Sequence, residues 1–561
     1  LKKSGVNLIF TTTDFSLFIP TNITDMLKYL LPAVFCIALL QPIYAQQKQS
    51  LLFDFVAVKK QALQTQHITQ LFSRSAIPFS AVANDAVYSK QALQVNKIIS
   101  LRILNEKPGA ISVLIPAADN KHYRLELVEQ DISSDGLSIS ILSLNRNPQK
   151  AGLVNAVHYR GYVEGQPASM ATLSIFENGE AMVLFSNKEG NFNLGKISDS
   201  DTYVLYNSMN MLTRLGFECG TATLPVIGVT QNEPVTPLQP TVAPALLCKK
   251  VRLLWEADYK LYSNNFSSNL TNTANYIAGL FNQVAAMYQN EGVLIELNES
   301  YIWTSPDPYN TSTSANGLAT LKSRYNNLGN NFNADLCVLI DGAPTNNGGL
   351  AYILDNDLCN RAYAYGYANV YASYNTLPTY SWDVEVLTHE MGHLLGSYHT
   401  QWCGWNTGAG NTCGAIDNCY PVEASPSCTT CNAVTNTNPS APAGFMGTVM
   451  SYCYLRSGIG VNLSYGFGPL PQAKIRACIN NALCPVLDNQ WTGSVSTAWE
   501  NAGNWSCGSI PDINTDVTIN NGITNYPVVN STAVCRKIKQ KSSTSVTVRS
   551  GFSLKLAGTG H

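Results

Sequence analysis

Eleven residues, His389 to His399, constrain this chain more than any other stretch. They read His389-Glu390-Met391-Gly392-His393-Leu394-Leu395-Gly396-Ser397-Tyr398-His399 and fill every specified position of H-E-x-x-H-x-x-G-x-x-H. Residues four apart share a helix face, so a helix here presents the imidazoles of His389 and His393 together toward one metal ion. Glu390 follows the first of them and can reach past the metal to a water. Gly396 lets the chain leave the helix sharply, because glycine takes positive φ without a steric cost. That turn returns His399 as a third ligand. Three neutral imidazoles with an open fourth position make a catalytic zinc site, where the metal lowers the pKa of water to roughly 7 and polarises a carbonyl. A carboxylate beside that water can take its proton and pass it to a leaving amine. The bland reading is that these are ordinary helix residues. Against it, three of the chain's seven histidines fall in this one run.

The rest of the sequence suits an exported protein. Its 561 residues are material for roughly three or four domains. Charged residues make up 13% and the net charge is −2, which offers no basic patch for nucleic acid. Met26-Leu27-Lys28, the apolar run from Tyr29 to Leu40 and Ile43-Tyr44-Ala45 read as a signal peptide over 26–45, cut after Ala45. Residues 1–25 are then expected to be an untranslated or misassigned extension. The apolar run is too short to span a bilayer, and no later stretch is long and apolar enough to anchor the chain. A secreted protein without a transmembrane segment is therefore expected. Cys36 falls in the signal peptide, and the other fourteen of the fifteen cysteines lie at or beyond Cys219. That distribution implies disulfides made outside the cytosol, with a pairing that sequence does not reveal.

Up to about residue 218 the chain reads as short strands and turns, among them Ala110–Ile115, Tyr123–Leu127 and Ala171–Ser174. Residues 222–247 carry five prolines and one charge, Glu233, and read as a linker open to cleavage. From Lys249 the pattern becomes α/β. Strands are expected at Val251–Trp255, Val293–Leu297, Leu336–Ile340 and Gly348–Ile353, and helices over Asn275–Asn290 and Asn316–Leu328. The histidine helix is expected to start near Ser381, with Asp383 and Glu385 in its first turn and Val384, Leu387, Met391 and Leu394 as its core stripe. A cysteine-dense loop spans Trp402–Cys431. Its Cys428-Thr429-Thr430-Cys431 has half a zinc-knuckle spacing, but in an oxidised loop it reads as disulfide-bonded. A closing helix is expected at Pro471–Leu483. Residues 487–561 read as a small all-β module, in which Cys507 and Cys535 could pair.

Some fifty residues past the histidine run comes Gly447-Thr448-Val449-Met450-Ser451-Tyr452-Cys453. With the long histidine motif, this turn resembles the metzincin zinc metalloproteases, in which a methionine floors the metal site. The element order, the G-L-A-Y edge strand at 349–352 and the Tyr159-x-Gly161-x-Val163-Glu164-Gly165 run narrow the likeness to the reprolysin (adamalysin, ADAM-like) family. The resemblance implies an α/β metzincin catalytic domain over 248–486, with a mixed twisted sheet, a zinc-binding helix and a methionine turn. A β-rich propeptide over 46–221 would precede it. It implies one zinc on His389, His393 and His399, Glu390 as base and acid, and hydrolysis of internal peptide bonds in protein or peptide substrates. Met450 would floor the site. Tyr452 would be a movable ligand or oxyanion donor, or else a buried structural tyrosine. In such zymogens a cysteine before glycine caps the zinc, which would give that role to Cys219. The basic residue that the family places shortly before that cysteine is missing, and a Cys219–Cys248 disulfide is the alternative. No motif specifies calcium. Two rivals stand beside this reading: a metzincin of another family, such as the pappalysins, and a non-catalytic zinc-containing adhesin.

Overall fold

The computed structural model describes residues 50–558, apart from 77–85, 134, 145, 199, 213–218, 229–246, 343–346, 375, 408–412, 429, 434–445 and 457. The expected extension, the signal peptide and most of the linker lie outside the described residues. Among the described residues no helix is long and apolar enough to cross a membrane.

Parallel strands need crossovers, and the chain after Lys249 supplies two helical ones. Strand Lys249–Ala257 leads through helix Leu270–Asn290 to strand Leu294–Trp303, which pairs parallel to it. Helix Ser314–Asn327 then leads to Leu336–Gly342, parallel on the other side of the first strand. Tyr365–Val370 extends the parallel set, and the short strand Gly349–Ala351 runs antiparallel at the edge. Every residue of Leu336–Gly342 is buried, as expected of a strand covered on both faces. The far edge was not foreseen. Strand Ser138–Leu142 pairs parallel to Leu294–Trp303, and Gln149–Leu153 closes that side. A hairpin from within the stretch expected to be propeptide thus completes the downstream sheet.

The upstream part is a ten-stranded sheet, mostly antiparallel, with Ala156–Val163, Gln166–Phe176 and Ala181–Asn187 near its middle. The reading as strands and turns missed two helices here, Leu51–Ala62 and Lys97–Glu106. Each starts at a side-chain cap, Ser50 accepting from the Phe53 N–H and Asn96 from those of Ile98 and Ile99. Both carry β-branched residues, and tertiary packing overrides that local preference.

The upstream sheet also explains why helix Leu270–Asn290 is buried on almost every side rather than along one stripe. Ile277, Leu280, Phe281, Val284 and Met287 pack in the same core as Met170, Phe176 and Met182 of the upstream sheet. Polar residues fasten the contact. Arg160 donates to Asn282 Oδ1 at 2.9 Å and to Gln289 Oε1 at 3.0 Å, and Asn282 Nδ2 reaches the Ser174 hydroxyl.

Five disulfides staple the second half: Cys248–Cys507, Cys359–Cys484, Cys403–Cys431, Cys413–Cys428 and Cys419–Cys453. The two cysteines of the C-x-x-C run enter different disulfides. Two pairings considered from sequence are corrected. Cys248 bonds Cys507, so neither Cys219–Cys248 nor Cys507–Cys535 forms. Cys219, Cys337, Cys478 and Cys535 are buried thiols. The Cys248–Cys507 bond ties the C-terminal strands to the downstream α/β sheet, where Val486 and Leu487 pair with Lys250 and Lys249. Trp491, Trp499 and Trp505 build the core of this last part, with edge-to-face contacts at 4.9 and 4.7 Å.

Candidate metal centre

The site helix runs from Tyr380 to Leu394. Val384, Leu387, Met391 and Leu394 are fully buried along it, each contributing roughly 1.5–3 kcal/mol by burial. Asp383, expected only to complement the helix N-terminus, is buried. Its carboxylate accepts from the Tyr371 N–H at 2.8 Å and from the Tyr276 and Thr379 hydroxyls at 2.9 and 3.1 Å. The helix ends at Gly396, whose φ of 91° is left-handed. There the Gly396 N–H donates to the His393 carbonyl and the Ser397 N–H to that of Gly392, the paired bonds of a Schellman stop. This reversal brings His399 back beside His393.

Three imidazole Nε2 atoms meet in a small triangle. His393 Nε2 lies 3.2 Å from that of His389 and 3.1 Å from that of His399. These are not hydrogen bonds. Each ring's Nδ1 faces an acceptor: the Val449 carbonyl at 2.8 Å, the Ser397 carbonyl at 2.8 Å and the Glu423 carboxylate at 2.7 Å. Each Nδ1 therefore carries the proton, and three Nε2 lone pairs converge. Lone pairs repel unless a cation sits among them. A tetrahedral zinc with Zn–N near 2.0–2.1 Å sets its nitrogens about 3.3 Å apart, so the triangle fits that ion. Burial first, and the neighbouring histidines second, push His389 down to about 3 and His393 well below the usual imidazole range. Neutral rings, as a metal requires, result.

The fourth corner is sulfur. Cys219 Sγ lies 3.7 Å from His393 Nε2 and 3.5 Å from Glu390 Oε2. The four ligand atoms all lie within 4.8 Å of one another, and all four residues are buried. With Zn–S near 2.3 Å, a tetrahedral nitrogen-to-sulfur distance is about 3.6 Å. Burial and the adjacent Glu390 raise the thiol well above its usual range; a dication at the centre is what would draw its proton off. The segment bearing Cys219 is held on both sides. The Tyr452 hydroxyl donates to the Cys219 carbonyl. Thr221 Oγ1 donates to the Ala351 carbonyl at 3.0 Å, on the edge strand.

Glu390 is fully buried, and among the described residues its Oε1 has no hydrogen-bond partner. Burial raises its carboxyl well above the ordinary range, against a lowering by the Cys219 contact. Its carboxylate lies against Gly349, where a Cβ would stand 2.0 Å from Oε1. Glycine at that point of the edge strand makes room for the acid. Met450 is fully buried beneath the helix, its sulfur 2.7 Å from where a Cβ on Gly392 would be, and its carbonyl accepts from the Thr400 N–H at 3.0 Å.

The structure thus brings together His389, Glu390, His393, His399, Met450, Tyr452 and Cys219. Sequence reasoning missed Glu423, which orients His399 and also accepts from Gln401 Nε2 at 3.0 Å. Nothing local marks it. It lies in the cysteine-dense loop, held by bonds between the backbones of Cys403, Gln401 and Glu423.

Residues 248–456 match the family described as Metallo-peptidase family M12, and residues 490–559 match a domain of unknown function. No curated protein matches. Two solved structures show weak likeness. One, titled as the structure of a chaperone-substrate complex, is 18% identical over 27% of this chain and 24% of that one, with a TM-score of 0.21. The other is the crystal structure of metalloproteinase-II from Bacteroides fragilis, 10% identical over 61% of this chain and 91% of that one, with a TM-score of 0.26.

Proposed function

We propose that this chain, whose residues 248–456 form a reprolysin-like domain of metallo-peptidase family M12, is a secreted zinc-dependent endopeptidase made as a latent precursor. The carrying observation is the buried convergence of three Nε2 lone pairs and the Cys219 sulfur on one point. His389, His393 and His399 would hold the ion. Cys219 would block the position that a reacting water needs. The five disulfides support an oxidising compartment.

Zinc bound there would supply Lewis acidity toward water and toward a substrate carbonyl. The chain's own groups do the rest. Once the Cys219 segment leaves, an extended substrate pairs with the Gly349–Ala351 edge in its place, as Thr221 does in the precursor. Glu390, unpartnered at Oε1 and beside the vacated sulfur position, takes the proton of the attacking water and returns it to the leaving amine. Glu423 keeps His399 in the tautomer that turns its lone pair inward. The Tyr452 hydroxyl, released from the Cys219 carbonyl, is left to donate to a substrate carbonyl. Met450 packs below and touches no reacting atom.

The test is casein hydrolysis by the processed protein, with and without a zinc chelator, beside Glu390→Ala. Activity lost in both, with the variant still binding one zinc, supports the proposal. Chelator-insensitive hydrolysis overturns it. The adhesin rival predicts processed protein that holds zinc and cuts nothing.

A further inference from the structure

A cavity of about 80 Å³ lies beside the site helix. Trp382 and Glu385 line it from the helix, Tyr454 and Gly460 from the chain beyond the methionine turn, and Met209 and Met211 from the upstream segment. Its position is close to the metal centre. Glu385 precedes His389 by four residues and His393 by eight, so the three side chains form one stripe along the helix. Rings connect the two places: Tyr452 is 6.2 Å from His389, Tyr454 is 5.8 Å from Tyr452, and Trp382 is 5.9 Å from Tyr454.

Glu385 stands out within this cavity. It is only 7% exposed, and among the described residues its Oε1 has no hydrogen-bond partner and no cationic side chain lines the cavity. Burial alone pushes its carboxyl up to about 8. A buried carboxyl oxygen without a partner opposes folding. An incoming group could supply that partner. Met209 forms part of the cavity wall, with its sulfur 2.9 Å from where a Cβ on Gly460 would stand. Met209 and Met211 stand ten and eight residues before Cys219, so removal of the chain up to Cys219 on activation would empty this cavity as well. A lysine side chain is unbranched like methionine and one heavy atom longer. Placed in this cavity instead of Met209, it would share the space with the Glu385 carboxylate and the Trp382 and Tyr454 rings.

We propose that Glu385 forms the end of a substrate subsite that selects a lysine or arginine side chain flanking the scissile bond. The inference rests on the endopeptidase reading and adds a residue that determines its specificity. In the latent precursor Met209 and Met211 hold the subsite shut, as neutral stand-ins for the basic side chain.

The test uses the full chain, loaded with zinc and activated by limited proteolysis, on peptides that differ only in having Lys, Arg or Met at each position flanking the cut. The readout is the ratio of kcat/KM for the basic peptide to that for the methionine peptide. For the unaltered enzyme it is expected to be about 10 to 100 at one flanking position, the discrimination a desolvated, hydrogen-bonded charge pair provides. In Glu385→Gln the ratio should fall to near one, with zinc content and circular dichroism reporting an intact fold. Glu385→Asp, a second variant, should keep a preference for the longer arginine. Cleavage of methionine and basic peptides alike by the unaltered enzyme overturns the inference and leaves the endopeptidase reading intact, as does an unchanged ratio in Glu385→Gln. Cleavage of no peptide at all overturns both.

Discussion

Replacing Gly349 by alanine tests whether the edge strand and Glu390 form one device. The new methyl would stand 2.0 Å from Glu390 Oε1 and 2.3 Å from its Cγ, whereas ordinary contact begins at 3.4 Å. The carboxylate must therefore retreat by about 1 Å or more. The backbone need not move, because Gly349 is not in the left-handed region and its pairing with Ala368 suits any residue. A misplacement of that size at a reacting group costs about 100-fold in rate, or about 2.7 kcal/mol of barrier. The three histidines are untouched. Activated Gly349→Ala should hold one zinc per chain and turn over a fluorogenic peptide with kcat reduced about 100-fold and KM changed far less. Stoichiometric zinc with kcat within about threefold of the unaltered enzyme would refute the reasoning, since the carboxylate position would then not set the rate.

Three further outcomes are expected. Cys219→Ala in the uncleaved precursor should produce measurable casein hydrolysis where the unaltered precursor has none; continued latency would mean that the upstream domain blocks the cleft without the sulfur. Glu423→Gln should lower zinc affinity by about 10- to 100-fold, measured by competition with a chelator, because the His399 Nδ1 proton loses its carboxylate acceptor. Glu385 should make precursor stability fall as pH rises. The folded chain keeps this proton to about 8 while the unfolded chain releases it near 4.5. Between those values the unfolded state binds fewer protons, and stability drops by up to about 1.4 kcal/mol per pH unit. Urea midpoints at about pH 5.5 and 8.5 should show a smaller decline in Glu385→Gln, and equal declines would contradict the assignment.

The convergence of the three histidines was legible because its parts are local. Two histidines need only one helical turn, and Gly396 supplies the reversal to the third within six residues. The methionine turn was legible as a pattern, although its contact with Gly392 is tertiary. What escaped depends on distant partners. Glu423 meets His399 only because loop backbone pairing and the Cys403–Cys431 bond fold the loop back. The Ser138–Leu142 strand pairs in parallel with residues some 160 positions later, and its own five residues cannot announce that partner. Helix Leu270–Asn290 was expected from its own residues, but the burial of Asn282 and Gln289 depends on Arg160 of the upstream sheet, which nothing local in the helix reveals. Cys219 is the intermediate case. Sequence left two readings open, and the Cys248–Cys507 bond removes one of them. Helix Leu51–Ala62 was missed because only Leu52 and Val56 are fully buried along it, too few to set a clear period.

The central claim is that one zinc is held by three imidazoles and capped by the chain's own cysteine. X-ray absorption at the zinc edge of the uncleaved precursor tests it most directly. The account predicts one sulfur near 2.3 Å and three nitrogens near 2.0 Å, with the sulfur lost in Cys219→Ala and after activating cleavage. A precursor that binds no zinc, or a zinc with only nitrogen and oxygen neighbours, would contradict it.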